Sequence, residues 1–349
     1  METFYPILMF IVASVLTVLV AMRLAHYGDA IADTTGLGHS LVGLILLSAA
    51  TSLPELFSSS SAAYIGNVDL SFGNVFGSNM TNIFILVIMD FFVRKQPILL
   101  GASQKNVMTG GIVIFVSSIA LLMLYLANVE QLKAHDFWYF SPILFLFYIG
   151  GMVIIYRHES SIKTVDEPDQ GPKDPSMTKA KAITGFVVSS VFVFGAAILL
   201  SYSSDLISQM KVGGKDLGGT FVGTFFMAFT TSLPEIVVSI AALRLGSHDM
   251  ALGNLFGSNL FNLAVLSISD GFYRLGRAMK DLPVADDAFT HPTISTNHII
   301  TGLVGILFVG IVLSSLMLRR QTKRGPLGFD TFTIGVLYFL ALGMLYILR

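Results

Sequence analysis

Residues 51–55 and 231–235 both read TSLPE, and each places a proline and a carboxylate inside a long apolar run. Proline has no N–H, so the carbonyl four residues earlier loses its helical partner, and the ring pushes the preceding residue, Leu53 in the first copy, off helical dihedrals. Carbonyl oxygens are thereby freed around Ala50–Thr51 and Thr230–Thr231. Glu55 and Glu235 follow within a turn. Thr51 lies four residues before Glu55 and Ser52 three before, so one face presents carbonyl, hydroxyl and carboxylate oxygens together. An ionisable residue at mid-membrane depth costs at least about 2.5 kcal/mol and is a functional candidate for that reason. A protonated Glu hydrogen-bonded to a neighbouring helix would explain one such residue better than two in repeated contexts.

A second pair of blocks follows: GNVFGSNMTN at 73–82 and GNLFGSNLFN at 253–262. Asn74, Ser78 and Asn82 recur every four residues, as do Asn254, Ser258 and Asn262, giving each helix one polar stripe. Gly73 and Gly77, like Gly253 and Gly257, are spaced for close helix approach. For Asn74, Asn254, Asn79 and Asn259, interhelical hydrogen bonding and ion contact both remain open. Ser78, Asn82, Ser258 and Asn262 read as ligands. A donor set made only of oxygen suits hard cations: calcium, sodium or, with more water, magnesium. No His or Cys lies nearby, which argues against zinc, copper and nickel. With no nucleophile or catalytic metal motif beside the carboxylates, an enzyme is not expected.

The elements that carry these residues follow from composition. The chain has 349 residues, a mean hydropathy of +0.74, 54% hydrophobic residues and 12% charged ones. That is about half the charge of a soluble domain. Apolar segments centre near 6–22, 40–64, 70–93, 107–127, 137–156, 182–202, 219–243, 250–273, 298–318 and 329–348, each long enough to cross a bilayer. The first, Ile7–Met22, precedes Arg23 instead of following basic residues, so it reads as a membrane helix and not a signal peptide. The net charge of −1 gives no sign of a nucleic-acid partner, and there are no cysteines for disulfides or thiolate sites.

The two TSLPE strings and the two Gly-Asn blocks are each offset by 180 residues, with 16 identities in 32 between 51–82 and 231–262. Residues 1–156 and 182–349 each hold five spans, joined by the polar connector 157–181. Five is odd, so the second copy enters the membrane from the opposite side. The expected fold is all-α and membrane-integral, with ten transmembrane helices as two inverted five-helix repeats and broken helices at the midplane, the architecture of many secondary transporters. Lys and Arg divide 14 to 7 between the two sets of loops, which puts the connector in the cytoplasm and both termini outside, in the cell membrane.

The paired T-S-L-P-E and G-N-x-x-G-S-N-x-x-N blocks resemble the alpha repeats of the sodium/calcium exchanger branch of the cation/calcium exchanger superfamily, here 38–82 and 218–262. The resemblance implies antiport of calcium for sodium by alternating access. It implies calcium ligation by Glu55 and Glu235 with the carbonyls of Thr51 and Thr231. It also implies sodium contacts from Ser52, Ser78 and Asn82 and from Ser232, Ser258 and Asn262. No cofactor is implied; the partners are the transported ions and the lipid bilayer, and no protein partner can be inferred. A divalent cation/proton antiporter, or an exchanger for manganese or magnesium, is the alternative. The Gly-Asn-Ala-x-Glu block typical of proton-coupled relatives is absent. Asn at both 82 and 262 differs from potassium-dependent relatives, some of which carry Asp at the second position. The family's Gly before Thr-Ser is replaced by Ala50 and Thr230, a change that bears on ion selectivity more than on fold.

Other acidic residues have simpler readings. Asp69 and Asp249 fit helix N-caps. Asp90 and Asp270, also 180 apart, fit either structural anchoring or a role in ion or proton access. Asp286, Asp287 and His291 fit a solvated loop.

Overall fold

The computed structural model describes residues 4–93, 96–129, 139–161, 177–208, 211–212, 215–216, 230–281, 294–319, 323–324 and 326–347. In chain order these form α1 (Phe4–Thr35), α2 (His39–Leu41), a π-helical stretch (Val42–Leu47), α3 (Ser48–Thr51), α4 (Leu53–Ile65), α5 (Val68–Phe92), α6 (Asn106–Ala127), α7 (Phe140–Ser161) and α8 (Lys179–Ser208). The short antiparallel pair β1 (Lys211–Val212) and β2 (Lys215–Asp216) follows. Then come α9 (Leu233–Arg244), α10 (His248–Ala278), α11 (Asn297–Leu318), a second pair β3 (Lys323–Arg324) and β4 (Leu327–Gly328), and α12 (Phe329–Ile347).

Among the described residues, α1, α5, α6, α7, α8, α10, α11 and α12 are each long and apolar enough to cross a bilayer, and α2–α4 make one further broken span. Of the expected span 219–243, only Thr230 onward is described. Several helices outrun the apolar windows seen in sequence: α1 continues to Thr35, and α7 and α8 reach into the connector. Most of that connector, the loop with Asp286, Asp287 and His291, and residues 218–229 of the second motif lie outside the described residues.

Two compact units emerge, and they interleave the sequence repeats. The first comprises Met1–Pro54 and Asp166–Leu255, the second Glu55–Val165 and Phe256–Arg349. In the first, α1 lies along α8 and α9, and α3 packs against α8 and α9. In the second, α11 packs on α5 and α6, α12 on α5 and α11, and α7 on α6. Of the apolar window of α10, 83% is buried, and of α5, 72%, against 22% for α1 and for α12. The two helices that carry the Gly-Asn blocks are thus the interior ones.

The breaks fall where proline requires them. Ser52 sits at φ −91°, ψ 7° and Ser232 at φ −83°, ψ 4°, both in the bridge region between helix and extended chain. Ser52 N still donates to Ser48 O at 2.9 Å, and beyond the second break Ile236 N donates to Ser232 O at 3.1 Å. Each helix restarts at the leucine just before its proline. The π-helical turn at Val42–Leu47 widens the helix one turn ahead of the first break, a device common at functional sites. Ala50 and Thr230 have ordinary negative φ: among described non-glycine residues only Asp281 and Arg319 are left-handed. The replaced glycines therefore leave no backbone strain.

The repeat extends into the turns. Gly66 and Gly246 end α4 and α9 at φ +96° and +84°. Each is followed by a bond back over the turn, Asn67 N to Ala62 O at 2.8 Å and Ser247 N to Ala242 O at 3.0 Å, the Schellman pattern that favours glycine.

Two expectations are corrected, and a third pair is resolved. Asp69 is not the cap of α5; Asn67 is, accepting from Leu70 N at 3.2 Å. Asp69 Oδ1 instead receives Ser295 N at 2.7 Å and meets His298 Nε2 at 2.8 Å, tying α5 to the start of α11. The glycine pairs are not equivalent. A Cβ on Gly253 would strike the Ser40 carbonyl, but among the described residues one on Gly73 would meet the His298 ring and one on Gly77 would meet nothing within 4 Å. Asp90 fits the anchoring reading, and Asp270 makes a different contact. Asp90 is fully buried and accepts from Ile98 N, Gly328 N, Thr331 Oγ1 and Lys323 Nζ, whereas Asp270 accepts from Arg274 Nε one turn along its own helix.

Candidate ion-binding site

The ten residues singled out in sequence divide evenly between the units. Thr51, Ser52, Thr231, Ser232 and Glu235 belong to the first, and Glu55, Ser78, Asn82, Ser258 and Asn262 to the second. All ten are buried, none more than 8% exposed.

In the first unit the two broken helices meet at their breaks. Ser52 Oγ donates to Glu235 Oε1 at 3.2 Å. Thr51 Oγ1 donates toward Asn254 Oδ1 at 3.4 Å, and Asn254 Nδ2 donates to Ser239 Oγ at 3.1 Å. Asn254 thus ties α3, α9 and α10 together with both ends of its amide. Close backbone approach makes this possible: Gly253 abuts the Ser40 carbonyl, and a Cβ on Gly43 would run into the Met250 carbonyl. Glu235 Oε2 and Ser232 Oγ are buried with no hydrogen-bond partner among the described residues. A buried carboxylate oxygen and a buried hydroxyl in that condition are costly in a protein interior and suited to a cation.

In the second unit α5 and α10 cross at their polar stripes. Asn82 Nδ2 donates to Asn259 Oδ1 at 3.1 Å and Asn262 Nδ2 to Asn79 Oδ1 at 3.0 Å. The amide oxygens of Asn82 and Asn262 are buried and have no hydrogen-bond partner among the described residues. Asn74 Nδ2 donates to Ser59 Oγ at 2.8 Å, the counterpart of the Asn254–Ser239 bond 180 residues on. Ser59 and Ser239 were missed in sequence, although each lies four residues after its Glu and so on the same helix face. The first unit offers carboxylate, hydroxyl and amide oxygens together, and the second offers amide oxygens with a serine hydroxyl nearby on α4. Among the described residues no cluster of three or more His, Cys, Asp or Glu forms a metal cage of its own.

The sequence profile of the sodium/calcium exchanger protein family matches residues 5–157 and 181–348, nearly the whole chain. The chain belongs to that family. Its members are membrane antiporters that exchange cations including calcium, and not enzymes. Among the curated relatives of this family member are the putative antiporter CaxA of Alkalimonas amylolytica, 29% identical over 74% of this chain and 78% of its own, and the sodium/calcium exchanger MaX1 of Methanosarcina acetivorans, 25% identical over 72% and 79%. The inner membrane protein YrbG of Escherichia coli is 28% identical over 73% of this chain and 76% of its own. A solved structure of the sodium-calcium exchanger NCX_Mj superposes with a TM-score of 0.69 over 97% of this chain and 98% of its own, at 20% identity. That likeness establishes the fold, the ten-helix inverted repeat expected from the 180-residue offset.

Proposed function

We propose that this exchanger carries a divalent cation, calcium first among candidates, against sodium by alternating access, with Glu55 and Glu235 serving the same transported ion. The observation that carries the reading is Glu235: a carboxylate buried inside a membrane protein, touched by the Ser52 hydroxyl through one oxygen and left with the other as an unmet acceptor. The remaining ligands are the Thr51 and Thr231 carbonyls and the side chains of Ser52, Ser232, Ser78, Ser258, Asn82 and Asn262. The unmet amide oxygens of Asn82 and Asn262 support their place among them. The relative named a sodium/calcium exchanger supports the ion pair.

Two carboxylates give a ligand set of charge −2, which one divalent ion neutralises. Two or three sodium ions on the same oxygens leave it neutral or at +1, so the two loads compete and each crosses only without the other. A three-for-one exchange moves one charge per cycle, worth about 2.3 kcal/mol per 100 mV. The protein sits in the cell membrane with both termini outside and the 157–181 connector in the cytoplasm. Glu55→Gln and Glu235→Gln test the site: each is expected to reduce calcium-45 exchange in proteoliposomes to background while the detergent-extracted protein stays monodisperse. Exchange at the native rate in both variants would remove the carboxylates from the site.

A further inference from the structure

Asn79 and Asn259 follow the serines of the two Gly-Asn blocks, and each is engaged at both ends of its side-chain amide. Asn79 Nδ2 donates to the Asn259 main-chain carbonyl at 3.3 Å, and Asn259 Nδ2 donates to the Asn79 carbonyl at 3.2 Å. Their oxygens receive Asn262 Nδ2 and Asn82 Nδ2 respectively, at 3.0 and 3.1 Å. A main-chain carbonyl can only accept, so the nitrogen of each bracket amide must face it. The bracket oxygen is then turned to the neighbouring asparagine and can also only accept. Asn262 and Asn82 must therefore turn their NH2 groups inward, and their Oδ1 atoms, both buried and without a hydrogen-bond partner among the described residues, are directed elsewhere. Each step admits one orientation.

We propose that Asn79 and Asn259 are positioning residues that act crosswise, Asn79 of the first repeat orienting Asn262 of the second and Asn259 orienting Asn82. The inference rests on the reading of Asn82 and Asn262 as ion ligands. It also sets specificity. An aspartate at 262 would press a carboxylate oxygen against Asn79 Oδ1, and Asn79 could turn to meet it only by giving up the Asn259 carbonyl. The bracket thus restricts both positions to neutral amides and the ligand set to two carboxylates.

The test is a pair of double-mutant cycles on the full chain in proteoliposomes, read as the sodium concentration for half-maximal calcium exchange. Losing one orienting hydrogen bond in Asn79→Ala or Asn259→Ala is expected to raise that concentration roughly 3- to 10-fold. Asn79→Ala should add little to Asn262→Ala and multiply with Asn82→Ala; Asn259→Ala should add little to Asn82→Ala and multiply with Asn262→Ala. Asn79→Ser and Asn259→Ser carry the same cycles where an alanine variant does not survive extraction. Equal coupling to both partners, or coupling within a repeat, would overturn the crosswise assignment. If Asn82→Ala and Asn262→Ala leave the sodium dependence unchanged, the ligand reading itself fails, and the proposal with it.

Discussion

Glu235 takes a hydrogen bond from the neutral Ser52 hydroxyl, and on the proposed exchange, discrimination between sodium and calcium falls to the hydroxyl and amide ligands. Ser78→Ala or Asn262→Ala is expected to raise the sodium concentration needed for exchange several-fold while shifting the calcium requirement less, since a divalent ion draws most of its stabilisation from the carboxylates. Titrating each ion against the other in one vesicle preparation checks this; equal shifts would make these residues helix ties instead of ligands. Ala50 and Thr230 stand just ahead of the breaks, and both keep negative φ. Ala50→Gly together with Thr230→Gly loosens the turn that presents the Thr51 and Thr231 carbonyls, at about 1 kcal/mol per helix glycine. The expected result is a changed ranking among calcium, manganese, magnesium and sodium in competition assays, with expression retained. An unchanged ranking would assign selectivity to other positions.

The helix breaks were legible because proline chemistry is local: Pro54 and Pro234 predict them, and Ser52 and Ser232 show nearly the same dihedrals. The π-helical turn at Val42–Leu47 was not, since an apolar run carries no mark of an extra residue in a turn. Spacing placed Asn79 and Asn82 near one another on α5 but could not say which helix lies opposite, so the bracket with Asn259 and Asn262 needed the structure. What holds Asp69 and Asp90 was illegible for a related reason. Their partners, His298 and Lys323, are more than 200 residues away in segments outside the repeated blocks. Asp90 pins the β3–β4 turn to the end of α5: Lys323 Nζ reaches Asp90 Oδ1 at 3.0 Å and also bonds the Asp90 carbonyl, with both side chains buried. Breaking one side of a buried pair costs about 3–5 kcal/mol. Asp90→Ala is therefore expected to lower the melting temperature in detergent by several degrees, and Asp270→Ala, whose partner Arg274 is 28% exposed, by less. A smaller loss for Asp90→Ala than for Asp270→Ala would contradict the anchoring role.

The whole chain is a pair of inverted repeats whose halves interleave in two compact units, each holding five of the ten candidate ligands. The odd number of spans per repeat predicted the inversion, but the partition into these units depends on contacts that no spacing encodes. On the proposed exchange, the divalent and monovalent loads are alternatives on the same oxygens. The direct measurement is calcium-45 uptake into proteoliposomes of the native chain under an outward sodium gradient, beside a matched pH gradient with sodium absent, at clamped voltage. Uptake driven by sodium and abolished by Glu235→Gln, with none driven by the pH gradient, is the expected result. Uptake driven by the pH gradient alone would contradict sodium coupling and make the chain a proton-coupled antiporter.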